Sequence, residues 1–91
     1  NPQAKVHVLV IPKGLYVDVD DFSKNASKEE IASLMHAVAE VCKITKVSLT
    51  EGGNGFRLIA NTGPDGSQEV PHFHYHVMGG EPMGLRGLRK S

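Results

Sequence analysis

Ninety-one residues with ten basic and ten acidic side chains describe one small domain of zero formal net charge. That balance removes the main electrostatic reason to expect a DNA or RNA polymer as partner, and no apolar run approaches the roughly 18 residues of a membrane span. A chain this short buries only about 60–65% of its unfolded surface, so association with a second copy would help to complete the core. The single cysteine, Cys42, excludes an internal disulfide and fits a reducing, cytoplasmic setting. No signal-peptide pattern opens the chain at Asn1.

Val6-His7-Val8-Leu9-Val10-Ile11 is β-branched and apolar, and Pro12 ends it; it reads as a strand buried on both faces, with His7 on the face of Leu9 and Ile11. Residues 13–26 read as a polar connection containing Gly14 and the acidic run Asp18-Val19-Asp20-Asp21. Ser27-Lys28-Glu29-Glu30 is a capping box in which Ser27 caps the Glu30 N–H and Glu30 reaches back to the Ser27 N–H. Ile31, Leu34, Met35, Val38, Val41, Cys42 and Thr45 follow at helical spacing, predicting a helix from Ser27 to about Thr45 with Met35 and Cys42 in its core stripe. His36 and Glu40 fall on the opposite, solvated side, and Lys43 and Lys46 suit the negative end of the helix dipole.

Gly52-Gly53-Asn54-Gly55 predicts a turn and Phe56-Arg57-Leu58-Ile59-Ala60-Asn61 a strand, with Phe56, Leu58 and Ala60 on one face and Arg57, Ile59 and Asn61 on the other. Residues 62–71 form the next loop, where Gly63-Pro64-Asp65-Gly66 carries a type I turn signature. The histidine segment then completes an antiparallel hairpin. Strand, helix, strand, strand, with one helical stripe to cover one sheet face, is α+β: an antiparallel sheet with a single long helix packed on it.

His72, His74 and His76 stand two apart, separated by Phe73 and Tyr75 and followed by Val77. On a strand, that period places three imidazoles in a row on one face and the large apolar groups on the other. Zinc takes histidine nitrogens at about 2.0–2.1 Å. Cα atoms at i and i+4 along a strand are about 13 Å apart, so the outer pair cannot share an ion. A metal site would need two of the three and outside ligands such as Glu69, Asp65 or His7. A purely structural row would need a hydrogen-bond partner for each buried ring. A nucleophile uses all three: a neutral imidazole at His74 attacks phosphorus, and its neighbours hold the phosphate oxygens. Clustering depresses imidazole pKa values and keeps the attacking ring neutral. Gly66 and Ser67 offer backbone N–H groups to a phosphate from the preceding loop.

His72-x-His74-x-His76 with apolar fillers, followed by Val77 and Met78, resembles the signature of the histidine triad (HIT) superfamily. Four further stretches are similar to its Hint branch, the histidine triad nucleotide-binding proteins. They are Pro2-Gln3-Ala4, His7-Val8-Leu9-Val10-Ile11-Pro12-Lys13, Arg57-Leu58-Ile59-Ala60-Asn61 and Asp65-Gly66-Ser67-Gln68-Glu69-Val70-Pro71-His72, in the family's order as far as about Met83. The resemblance implies a HIT domain over residues 1–84, a basic tail over 85–91, and a homodimer whose two sheets join into one. It implies hydrolysis of nucleoside 5′-phosphoramidates of the AMP-amine type, purine nucleoside monophosphate derivatives as partners, and neither cofactor nor metal.

His74 matches the family nucleophile, which forms a nucleotidyl-histidine intermediate. His76 and His72 match the flanking members, and His7 matches a histidine on the leaving-group side. Asn61 matches a polar group beside phosphate and ribose, and Ser67, Gln68 and Glu69 complete the expected substrate-binding set. His7 also reads as a satisfied core imidazole and Asn61 as a strand-end cap. A nucleotide-binding or regulatory module with little turnover, or a zinc-binding protein, are the alternative functions. The chain departs from the pattern at Glu69, where many Hint proteins have serine or threonine, and at Gly14-Leu15, where a lysine and a histidine are common. Its tail lacks the tryptophan of some members. The family's N-terminal segment, which supplies much of the nucleobase pocket, is expected to lie outside these residues, so base specificity does not carry over.

Overall fold

Alternating apolar residues in three short segments zip into an antiparallel sheet, and the computed structural model describes it within residues 5–82. The elements run β1 (Val6–Val10), α1 (Val19–Asn25), α2 (Lys28–Ile44), one 3₁₀ turn (Leu49–Glu51), β2 (Phe56–Ile59) and β3 (Tyr75–Gly79). The sheet order is β1-β3-β2, with β3 antiparallel to both neighbours. This is the expected α+β fold with a long helix on one sheet face, and a second, short helix is added to it. Pro2-Gln3-Ala4 and the basic tail 85–91 lie outside the described residues.

Register decides what each face carries. Val8↔Val77↔Leu58 and Leu9↔His76↔Ile59 are rows across the three strands. Side chains alternate along each strand. Val6, Val8, Val10, Leu58, Tyr75 and Val77 therefore face α2, while His7, Leu9, Arg57, Ile59, His76 and Met78 face the other way. The core lies on the α2 side: Val10, Phe22, Leu34, Val38, Cys42, Val47, Phe73 and Val77 form one buried cluster, with Val77 fully inaccessible. Ile59 and Met78 form a small second cluster on the opposite face.

Three expectations are corrected. The first strand is not buried on both faces: Leu9 is 50% and Ile11 62% exposed, because the one helix layer covers only the Val6-Val8-Val10 side. The polar connection 13–26 contains α1. Its cap is Asp18, whose carboxylate accepts the Asp21 N–H, and Asp21 in turn accepts the Val17 N–H. The acids of the run 18–21 thus sit at a helix N-terminus, where cap and dipole favour them, and Phe22 anchors that helix in the core. Met35 is not core; it is 43% exposed, since about 100° per residue places it at the margin of a stripe centred on Leu34, Val38 and Val41.

The long helix begins as expected, with the Ser27 hydroxyl accepting the Glu30 N–H, but Glu30 does not complete the box. Its carboxylate turns instead to the Gly14 N–H at 2.9 Å and the Tyr16 hydroxyl at 2.5 Å. At the other end Lys46 takes φ 65, and Val47 N–H returns to the Cys42 carbonyl at 3.0 Å while Lys46 N–H returns to Lys43. That is a Schellman stop with a buried Val47 as its apolar contact.

Candidate active site

Phe73 determines how the histidines are displayed. It is 3% exposed, with its ring 4.9 Å from that of Phe22 and edge-on to Tyr75 at 5.1 Å. Phe22 in turn meets Tyr16 edge-on at 5.0 Å. With Phe73 plugged into the core, His72 is exposed and His74 half-buried on the other side. Residue 73 lies before β3, so its N–H has no ladder partner and donates to the Tyr16 carbonyl at 2.8 Å. Glu30 holds Tyr16 by its hydroxyl. One chain of contacts therefore runs from the first turn of α2 through Tyr16 to the peptide between His72 and His74. The hydrogen bond to Glu30, then burial, then the charges of Glu30 and Asp21 raise the Tyr16 phenol above its usual pKa.

The expected row of three imidazoles along one strand does not form. Only His76 belongs to β3; His72 and His74 precede it. The His74 and His76 rings meet at 4.9 Å and 66°. On its other side His74 has the main-chain carbonyl of His72, 2.9 Å from Nδ1. A carbonyl only accepts, so His74 Nδ1 carries the hydrogen, and the neutral ring keeps its lone pair on Nε2. His7, opposite Met78 in the register and so diagonal to His76 on the same face, places Nε2 2.8 Å from His76 Nδ1. Burial chiefly, then the charges available to His74 and His7, hold His76 below the ordinary imidazole pKa.

A cavity of about 300 Å³ opens beside these rings, lined by Asn61, Ser67, Gln68, Glu69, Val70, His74 and His76. The structure thus gathers Asn61, Ser67, Gln68 and Glu69 with two of the three histidines. The His72 ring does not line it, and His7 reaches it through His76.

The loop that forms one wall closes differently from the expected type I turn. Ser67 N–H returns to the Pro64 carbonyl at 3.1 Å and Gln68 N–H to that of Gly63 at 3.0 Å, with Ser67 left-handed at φ 60. Gly66 is needed there because a Cβ would lie 2.6 Å from Thr62 N and closer still to its carbonyl oxygen. Gln68 braces this wall: Oε1 accepts the Gly63 N–H, and Nε2 donates to the carbonyls of Val17 at 2.6 Å and Val70 at 3.0 Å. Its amide hydrogens are spent on the protein. No sequence signal marked Val70 or the Tyr16 carbonyl.

Among the described residues, no three His, Cys, Asp or Glu side chains gather as a metal-binding group, and no helix is long and apolar enough to cross a membrane. Cys42 is 1% exposed, and burial raises its thiol pKa, which suits a core residue.

The chain is similar to known proteins in sequence and in fold. The family model described as HIT domain matches residues 1–83. An uncharacterized 13.2 kDa HIT-like protein of Azospirillum brasilense is 50% identical over 84 residues, covering 92% of this chain and 66% of its own. The purine nucleoside phosphoramidase of Escherichia coli K12 is 42% identical over 86 residues, again covering 92% of this chain and 66% of the relative. A HIT family hydrolase from Clostridium thermocellum superposes with a TM-score of 0.77 at 36% identity, covering 97% of this chain and 72% of that one. The chain thus spans just under two thirds of the length of these curated relatives. Fold, histidine segment and sequence agree, and the chain belongs to the HIT domain family.

Proposed function

We propose that this chain carries the catalytic part of a purine nucleoside phosphoramidate hydrolase, cleaving AMP-amine compounds through a covalent nucleotidyl-histidine at His74. The observation that carries the reading is the hydrogen bond from His74 Nδ1 to the His72 carbonyl, which leaves Nε2 of a cavity-lining imidazole with a free lone pair. The name of the Escherichia coli relative supplies the substrate class.

In the first half-reaction His74 Nε2 bonds to phosphorus as the P–N bond breaks, and the departing nitrogen takes up a proton. In the second, water attacks phosphorus, the P–Nε2 bond breaks, and water's proton is returned, so the sum is P–NHR plus water to P–OH plus amine. The His7–His76 pair suits that proton traffic, because two facing ring nitrogens 2.8 Å apart share one hydrogen and pass it either way. The depressed basicity of His76 makes its protonated form a ready donor. His72 contributes through its carbonyl, by fixing the tautomer of His74. Asn61, in the cavity lining, is the polar side chain this reading assigns to phosphate and ribose. The Ser67 N–H, expected to offer itself to phosphate, is instead donated to the Pro64 carbonyl, and the Gln68 N–H to that of Gly63.

The test is AMP release from adenosine 5′-phosphoramidate by the wild type and by His74→Asn. A loss of about a thousandfold or more is expected, with a radiolabelled nucleotidyl-enzyme trapped on a denaturing alkaline quench of the wild type alone. Equal release by both proteins would sink the nucleophile assignment. Homodimerisation through a shared sheet is proposed for the same protein: β2 is an edge strand of the described sheet, and Phe56 on it is 43% exposed. A monomer at micromolar concentration in sedimentation equilibrium would count against it.

A further inference from the structure

We infer that Glu69 makes this site select nucleotides whose leaving amine carries a second, positively charged group. The inference rests on the phosphoramidate reading above and deepens it by naming the leaving-group class.

Seven residues line the cavity beside His74, and Glu69 is the one carboxylate among them. A carboxylate beside a bound phosphate is unfavourable unless something cationic offsets it, since like charges a few ångströms apart repel. Among the described residues the Glu69 carboxylate has neither hydrogen bond nor ion pair to offset it. Its neighbours contrast with it. The Gln68 amide is committed to Gly63, Val17 and Val70, and Ser67 has a partner as well.

The backbone on both sides of Glu69 is tied down. Gln68 N–H returns to the Gly63 carbonyl at 3.0 Å, and the Val70 carbonyl accepts both Gln68 Nε2 and the His72 N–H, the latter at 2.8 Å. The side chain is therefore presented from a fixed loop. An anion without a partner among the described residues, at the wall of the cavity beside His74, acts on whichever part of the substrate is not the phosphate. A leaving amine tethered to an ammonium satisfies it, and one tethered to a carboxylate is repelled. Because Glu69 is exposed, the interaction is screened. A charge pair about 6 Å apart at an effective dielectric between that of a protein surface and that of water changes rates by about three- to tenfold.

The experiment compares three adenosine 5′-phosphoramidates of one tether length, ending in an ammonium, a methyl or a carboxylate group, by kcat/KM. The wild type is expected to prefer ammonium over methyl by about three- to tenfold and methyl over carboxylate by a similar factor. Raising NaCl from about 50 to 500 mM should shrink both preferences. Glu69→Gln should bring all three substrates within about twofold of one another, and Glu69→Lys should reverse the order. His74-dependent turnover of all three at equal, salt-independent rates in the wild type overturns the selectivity alone. So does a Glu69→Gln protein that keeps the full preference. Absence of His74-dependent turnover of any of the three overturns the phosphoramidate reading and the selectivity with it. The salt series on the wild type tests the selectivity even where a Glu69 variant fails to fold.

Discussion

Replacing Phe73 probes the joint between the core and the histidines, because this one side chain belongs to both. Its phenyl group withdraws roughly 150 Å² from water, worth about 4 kcal/mol at ~25 cal/mol per Å². Phe22 sits on α1 and Tyr75 on β3, and neither element can follow a vanished ring inward, so Phe73→Ala belongs in the upper part of the usual 3–5 kcal/mol range. Phe73→Leu keeps most of the volume and should cost about 1–1.5 kcal/mol. A domain of this size has a total stability of only about 5–14 kcal/mol, so alanine removes a large part of it. With a urea dependence near 1 kcal/mol per molar, the unfolding midpoint should drop by about 1–1.5 M for leucine and about 4–5 M for alanine, measured by circular dichroism at one protein concentration. Phe73→Leu should also lose more activity than its folded fraction explains, because the peptide it anchors carries the carbonyl that holds His74. A Phe73→Ala protein unfolding within about 1 M of the wild type, with full activity, would refute the claim that this ring sets the histidines in place.

Other outcomes follow from single contacts. His76 should titrate below the ordinary imidazole range by NMR, and His74→Asn should raise its pKa only part of the way, since burial is the larger cause. A base whose pKa is depressed by folding stabilises the protein fully above the unfolded value of about 6.5, and that contribution is lost as pH falls through the folded value. The acid limb of stability should accordingly flatten when His76 is replaced by Gln. Gly66→Ala forces a Cβ against Thr62 backbone atoms that cannot give way. It should cost about 1–3 kcal/mol and weaken nucleotide binding, as read by KM and thermal unfolding; an unmoved loop with an unchanged KM would contradict the close packing. Glu30→Gln should lower the Tyr16 phenol pKa in a spectrophotometric titration, since the hydrogen bond to the Glu30 carboxylate is the main cause of its elevation.

Much of the fold was legible because its signals are local. The Ser27 cap, the stripe Leu34-Val38-Cys42 and the Gly-rich turn before Phe56 each name an element without knowledge of the rest. Short α1 is hidden in the sequence because its acids read as part of a solvated connection, although Asp18 as cap, Asp20 and Asp21 in the first turn and Lys24 in the last form a complete helix signature. Glu30 illustrates the opposite failure. Its spacing from Ser27 fits a capping box, yet two donors from a loop fourteen and sixteen residues away outcompete the local one. No sequence pattern records such a competition. Burial of β1 on one face only was hidden for a similar reason, since Leu9 and Ile11 are as apolar as the residues that do face α2.

The histidine segment is where local and long-range information meet. A spacing of two places His74 and His76 on one side, but it does not distinguish them; the end of the sheet does. Continuing the register beyond Val10↔Tyr75 would bring Pro12 opposite Phe73, and Pro12 has no N–H to give to the ladder. The same proline that ends β1 thus ends pairing on β3, and Phe73 turns to the Tyr16 carbonyl instead. Within a strand, carbonyls lie in the plane of the sheet and side chains stand perpendicular to it, so an imidazole does not reach the carbonyl two residues back. Once the chain has left the strand it can, and His74 does so at 2.9 Å. His76, still in the strand, finds its partner in His7 across the sheet. Two imidazoles of equal chemistry thereby acquire different tautomeric constraints, one bound to a carbonyl and one to another ring. A missing backbone hydrogen at residue 12 is what makes room for the difference.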